Sequence, residues 1–135
     1  MEKKDLKPAG VFKYFEEICQ VPRPSKKEEK MIAYLKAFGA KHNLETKVDE
    51  AGNVLIKKPA TPGKENLQTV VLQSHIDMVC EKNNDVQHDF LTDPIETEID
   101  GEWLKAKGTT LGADNGIGVA TELAILADDS IEHGP

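Results

Sequence analysis

Three stretches of the chain repeat apolar residues at the spacing of an amphipathic helix. The first predicts a helix from about Pro8 to about Cys19, the second a helix within residues 27–42, and the third a helix within residues 115–129. Ser25 and Glu28 form a capping-box pattern at the start of the second helix. The apolar positions, in chain order, are Val11, Phe12, Phe15, Ile18, Met31, Ile32, Leu35, Phe38, Val119, Leu123 and Leu126.

Two other stretches alternate apolar and polar residues around a turn signal, which is the pattern of a β-hairpin. The first covers residues 44–58, where Gly52 and Asn53 tolerate the positive φ of a tight turn. The second covers residues 95–108 and carries a strong two-residue turn signal at Asp100–Gly101. Both stretches are predicted to form antiparallel pairs.

A β-branched run at residues 67–74 predicts a central strand between the two hairpins. The order of elements is then helix, helix, five strands and helix, which indicates an α/β fold. After residue 129 the sequence continues only as SIEHGP, where a loop and a further strand are expected. We therefore expect the chain to be part of a longer domain.

The composition places the chain in a broad class and excludes several partners. Its 135 residues are about the length of one domain, and 24 acidic against 17 basic residues give a net charge of −7. This acidic balance argues against nucleic acid or an anionic membrane as the main partner. No signal-peptide-like segment is present, and Cys19 and Cys80 form no CxxC pattern, so we expect a cytoplasmic protein with reduced thiols.

His75 and Asp77 directly follow the predicted central strand, two residues apart. A neutral imidazole is a good zinc ligand, and metal-bound histidines usually donate their other ring N–H to a carboxylate. Open α/β sheets also place their sites at the carboxyl ends of strands. The pattern by itself leaves open the alternative of a hydrogen-bonded structural histidine.

Asp114 is the one carboxylate in the glycine-rich stretch GTTLGADNGIG, at the start of the last predicted helix. Glycines let the backbone bend and approach closely, so this loop can direct the aspartate at an ion. An ordinary N-cap aspartate is the alternative. A phosphate-binding loop fits less well, because neither G-x-G-x-x-G nor G-K-[ST] is present. His88 stays ambiguous between a structural role and a ligand.

Four segments together resemble the aminoacylhistidine dipeptidases (Xaa-His dipeptidases), a family of co-catalytic di-zinc peptidases. They are VVLQSHIDMVCEKN, HDF..DPI, IDGEWLKAKGTTLGADNGIG and the final HGP, in that order. The resemblance runs from about Gly10 to Pro135. It implies that residues 1–135 are the N-terminal segment of a zinc-peptidase catalytic domain, an α/β fold with a mixed sheet flanked by helices.

The resemblance also implies roles for three residues. His75 corresponds to a ligand of one zinc ion, Asp77 to the catalytic-site carboxylate that orients this histidine, and Asp114 to the aspartate that bridges two metal ions. The peptide bond after the bridging aspartate is cis in the family, which implies a cis bond between Asp114 and Asn115. Zinc is the implied metal, with two ions per site, although manganese and cobalt share such ligands.

The implied activity is hydrolysis of dipeptides, with preference for a C-terminal histidine, by water that two metal ions activate. The resemblance implies a small dipeptide as substrate and a homodimer for the complete protein. In the family a pair of glutamates and the remaining ligands follow the HGP segment, so we expect this chain alone to be inactive. Alternatives are a non-catalytic fragment or degenerate paralogue with a binding role, or another peptidase of the group, such as an aminoacylase or aminopeptidase.

Overall fold

Three helices and two β-hairpins form the fold in the computed structural model, which describes residues 1–135. A short 3-10 turn at Lys3–Asp5 precedes them. None of the helices has the length and apolar character that crossing a membrane requires. The helices are α1 (Ala9–Cys19), α2 (Glu29–Lys41) and α3 (Ala113–Ala127), and the strands are β1 (Glu45–Val48), β2 (Val54–Lys57), β3 (Thr97–Asp100) and β4 (Trp103–Ala106).

Helices α1 and α3 pack against each other at the centre of the core. Helix α1 buries Phe15 and Ile18, and α3 buries Val119, Ala120 and Leu123. Removing these apolar side chains from water is the main favourable contribution to folding. Both helices form where the helical spacing of the sequence predicts them.

Helix α2 buries the predicted apolar stripe but begins differently from the prediction. Its N-cap residue is Glu28, and no side chain caps the helix. The predicted capping box is wrong, because α2 begins at Glu29 and Ser25 therefore lies three residues before the N-cap position. The Ser25 hydroxyl instead donates to the Asp77 carboxylate.

Both predicted hairpins are confirmed as antiparallel pairs. In the β1–β2 turn Gly52 takes a φ of +89°, whereas Asn53 does not adopt a positive φ. In β3–β4 the ladder ends with the pair of Asp100 and Trp103, so the two-residue loop is 101–102. The turn therefore lies one position later than the sequence signal predicts.

Residues 67–74, predicted as a central strand, pair with no other strand. The Val70 and Val71 side chains are 71% and 77% exposed, and the Val70 N–H donates to the carbonyl oxygen of Pro135 at 3.1 Å. A strand forms through hydrogen bonds to a neighbouring strand, and these 135 residues place none beside this segment. The α/β class is confirmed, but the strands form two separate hairpins and not the predicted mixed sheet.

The burial pattern predicts which apolar side chains carry stability. Ile18→Ala removes a fully buried side chain and leaves a cavity, so we expect the free energy of unfolding to fall by about 2–5 kcal/mol. Val71→Ala, at an exposed position, is the control and should change it by less than about 0.5 kcal/mol. Urea denaturation followed by circular dichroism measures both. Equal losses in the two variants would contradict the described core.

Candidate functional site

His75 lies between two carboxylates, one at each ring nitrogen. Its Nδ1 is 3.0 Å from Asp77 Oδ1, and its Nε2 is 3.0 Å from Asp114 Oδ1. The side chains of His75 and Asp114 are 52% and 97% exposed, so the group is open to solvent. The structure thus brings together the three residues that the sequence predicts to form a site.

The Asp77 carboxylate is held from its other side by Ser25. The Ser25 hydroxyl donates to Asp77 Oδ2 at 2.5 Å, which leaves Oδ1 for His75. The backbones of the two segments are also joined, because the Met78 N–H donates to the carbonyl oxygen of Arg23 at 3.0 Å. Asp77 is therefore fixed in the orientation that contacts His75.

Asp114 lies in an irregular first turn of α3. Gly112 is the N-cap residue, with a φ of +76°, and both Asp114 and Asn115 have non-helical backbone angles. The Asp114–Asn115 peptide bond is cis, as the resemblance implies. The alternative of an ordinary N-cap aspartate is wrong, because no side chain caps the helix and the Asp114 carboxylate contacts His75.

Arg23 is buried beside this group, with 2% of its surface exposed. Its Nη1 donates to the carbonyl oxygens of Ile76 and Asp77, both at 3.2 Å, and its Nη2 donates to that of Gly112 at 2.8 Å. Burial lowers the pKa of this guanidinium, which nevertheless stays charged in any folded protein. One cation therefore connects the two segments that carry the site residues.

The hydrogen bonds of the site shift the pKa values of its two central groups in opposite directions. The bond to Asp114, and to a lesser extent the bond to Asp77, raises the pKa of His75 above its ordinary value of 6.5. The bond from Ser25, and then that from His75, lowers the pKa of Asp77 below 3.8. Without a metal ion, these contacts therefore favour the protonated imidazole of His75 and the ionised carboxylate of Asp77.

The donor atoms suit a divalent metal ion that accepts nitrogen and oxygen ligands. An imidazole nitrogen and a carboxylate oxygen, here His75 Nε2 and Asp114 Oδ1, are both ordinary zinc ligands. Asp77 contacts the opposite ring nitrogen, so it cannot reach the same ion and is placed to orient the histidine. No group of three or more potential ligands surrounds one point, so the chain places fewer donors together than a complete zinc site takes.

Two other histidines lie apart from this group. His88 packs edge-on against Phe90, with ring centroids 4.4 Å apart. His133 contacts the carbonyl oxygen of its neighbour Gly134 at 2.7 Å through Nδ1. Neither is hydrogen-bonded to His75, and no cluster of three or more potential metal ligands includes His88, which favours the structural role for it.

Sequence patterns do not predict the roles of Arg23 and Ser25, which the structure adds to the site. Both lie in VPRPS, where the prolines indicate the end of a helix and Ser25 matches only a helix-capping pattern. Their partners Ile76 and Asp77 lie 53 and 52 positions further along the chain. No local spacing predicts contacts at that separation. An arginine between two prolines, followed by a serine, is the one signal that could have drawn attention to them.

Comparison with solved structures places the fold among peptidases. The chain matches a tripeptidase from Staphylococcus aureus with a TM-score of 0.72 and aminopeptidase PepT from Bacillus cereus with a TM-score of 0.71. Each is 22% identical and is matched over 93% of this chain and 34% of the other, so the likeness concerns the fold alone. The chain therefore shares the fold of about a third of each of these two proteins. No family model matches the chain.

The more similar proteins are dipeptidases. The chain is 54% identical to aminoacylhistidine dipeptidase from Vibrio alginolyticus, with a TM-score of 0.95 and coverage of 99% of this chain and 27% of that one. It is 52% identical over 134 residues to the cytosol non-specific dipeptidase of Escherichia coli K12, covering 99% of this chain and 28% of the relative. The predicted resemblance is confirmed. The chain spans about a quarter of the length of these proteins.

The raised pKa of His75 predicts a pH-dependent contribution to the stability of the metal-free protein. Because the folded-state pKa lies above 6.5, protonated His75 adds stability that is fully present below about pH 6.5 and is lost as the pH rises through the raised pKa. An NMR titration of the imidazole should give a pKa above 6.5, and Asp114→Asn should lower it. A value at or below 6.5 in the unsubstituted protein would contradict the described hydrogen bonds.

Proposed function

We propose that this chain forms part of a metal-dependent site that hydrolyses dipeptides. The observation that carries the proposal is the position of His75, 3.0 Å from the Asp77 carboxylate on one ring nitrogen and 3.0 Å from the Asp114 carboxylate on the other. The similarity to two dipeptidases over 99% of the chain supports it independently.

Zinc fits the residues that the chain supplies. His75 would bind one ion through Nε2, and Asp114 would bridge that ion and a second one. At metal–ligand distances of about 2.0–2.2 Å, two ligand atoms of a tetrahedral zinc ion lie about 3.3–3.6 Å apart. His75 Nε2 and Asp114 Oδ1 are 3.0 Å apart, so a small side-chain movement would admit the ion. Manganese and cobalt accept the same donor types.

Asp77 would act through His75 and not on the substrate. By accepting the Nδ1–H bond it would fix the tautomer whose Nε2 is free to bind a metal ion, and it raises the basicity of the imidazole. Ser25 holds Asp77 in that orientation. When bound, the metal ions would polarise the scissile carbonyl and lower the pKa of the attacking water. The resemblance assigns the general base for that water to a glutamate beyond the HGP segment.

The proposed substrate is a dipeptide with a C-terminal histidine, which is the more specific of the substrates that the two relatives are named for. The Vibrio relative is an aminoacylhistidine dipeptidase, whereas the Escherichia coli relative is a non-specific dipeptidase of the cytosol. Both relatives are named for the hydrolysis of dipeptides. The proposal therefore commits to dipeptides in the cytoplasm, and the preference for histidine is its refinement.

The proposed active protein is longer than this chain. Because the chain covers 28% and 27% of the two dipeptidases, we assign residues 1–135 to the N-terminal segment of a catalytic domain. The remaining metal ligands and the general base would come from the rest of that protein, which we propose to be a homodimer. The net charge of −7 disfavours nucleic acid and anionic membranes as partners.

Substitution of the bridging residue tests the proposal in the complete protein. Asp114→Ala should reduce zinc-dependent hydrolysis of a Xaa-His dipeptide by about 100-fold or more, because a ligand to both ions is lost. The protein should stay folded, since the Asp114 side chain is 97% exposed. Asp129→Ala, which removes another exposed carboxylate far from His75 in sequence, is the control and should keep full activity. Retained turnover in Asp114→Ala would refute the bridging role.

The 135-residue chain by itself should hydrolyse no dipeptide at a measurable rate. Zinc takes about four ligands, and this chain places His75 and Asp114 together without the others. The test is to incubate the purified chain with zinc and a Xaa-His dipeptide and to assay the released amino acids. Zinc-dependent release would overturn the proposal that the site is completed from outside the chain. A native polypeptide of only 14.9 kDa would favour the non-catalytic alternative.

A further inference from the structure

Arg23 is a buried cation that bonds to backbone and not to a carboxylate. A guanidinium taken out of water is retained only where other groups replace its hydration. Here three carbonyl oxygens do so, two beside Asp77 and one at Gly112. An apolar side chain could fill that volume, so the role of the guanidinium lies in its hydrogen bonds.

The guanidinium reaches two separate segments through its two terminal nitrogens. Nη1 bonds to the two peptide groups that flank Asp77, at 3.2 Å each. Nη2 bonds at 2.8 Å to the carbonyl oxygen of Gly112, two residues before Asp114. The Thr110 hydroxyl also donates to the carbonyl oxygen of Val79 at 2.7 Å. These two residues are further from Asp114 and His75 along the chain than the groups that Arg23 contacts.

The glycines that flank Asp114 make room for the same guanidinium. A Cβ atom on Gly112 would lie 2.6 Å from Arg23 Nη2, and one on Gly116 would lie 2.7 Å from that atom. Gly116 has no positive φ, so space alone accounts for glycine at that position. Arg23 and the glycine-rich turn are therefore one packed unit.

We propose that Arg23 is a positioning residue that sets the separation of His75 and Asp114 and thereby the affinity of the site for metal ions; this rests on the proposed function. Each half of the guanidinium fixes the backbone next to one of the two ligands. A planar group with two terminal nitrogens and donors in fixed directions holds both segments at once, whereas an ammonium donates from a single nitrogen on a flexible stem.

The test uses the complete protein, stripped of metal and titrated with zinc in competition with a chelator. Arg23→Met keeps most of the buried volume without the donors, and it should weaken zinc binding about 10–100-fold. Arg23→Lys keeps the charge and should bind zinc with intermediate affinity. Leu35→Ala removes a buried side chain from α2, none of whose residues bonds to the site; at a comparable loss of stability it should change zinc affinity by less than about threefold.

Amide hydrogen exchange of the metal-free variants gives a second readout. Arg23→Met should speed exchange in residues 76–78 and 112–118 by about tenfold relative to Leu35→Ala, because both segments lose the same anchor. Zinc affinity in Arg23→Met equal to that of Leu35→Ala would overturn the proposal, as would unchanged exchange in either segment. If Arg23→Met does not fold, the same two comparisons are made with Arg23→Lys and decide the matter.

The two proposals fail in different ways. If the unsubstituted protein binds no zinc, or if Asp114→Asn does not weaken its zinc binding, the proposed function is wrong. Amide exchange alone then decides whether Arg23 positions the two segments. If the unsubstituted protein binds zinc through Asp114 and both Arg23 variants bind it equally well, the proposed function stands and the role given to Arg23 is wrong.

Discussion

The buried guanidinium of Arg23 is the contact on which the arrangement of the site depends. It joins the segment around Asp77 to the turn before α3, and both lie outside any regular sheet. The same guanidinium packs against Gly116, which also lies beside the core residue Phe15. The side chain of Arg23 thus links the helical core to both segments that carry the exposed carboxylates, and backbone oxygens satisfy its charge.

A chain of polar contacts then runs outward from the protein to solvent. Ser25 holds Asp77, Asp77 holds His75, and His75 contacts Asp114, which is 97% exposed. Each bond constrains the next group, so the outermost imidazole nitrogen has a defined direction without being buried. Hydrogen bonds of this kind fix the orientation of a side chain before it binds an ion. A side chain that is free to rotate would lose more entropy on binding.

The segment before His75 shows why that support is needed. Residues 67–74 have the composition of a central strand but pair with no strand in this chain. His75 is therefore not positioned by a sheet among these residues. Within these 135 residues, hydrogen bonds from Ser25 and Arg23 hold the segment around His75, more than 50 positions further along the chain.

The sequence by itself determined the elements whose cause is local. Helical spacing placed α1, α2 and α3, alternation placed both hairpins, and the motifs around His75, Asp77 and Asp114 identified the residues that meet in space. Tertiary structure alone decided the rest: the partner of Ser25, the buried position of Arg23, the reason for the glycines beside it, and the lack of a pairing strand for residues 67–74 among these 135 residues. The physical reason is that periodicity reports which face of an element is apolar, whereas a hydrogen bond between distant segments depends on how the whole chain packs.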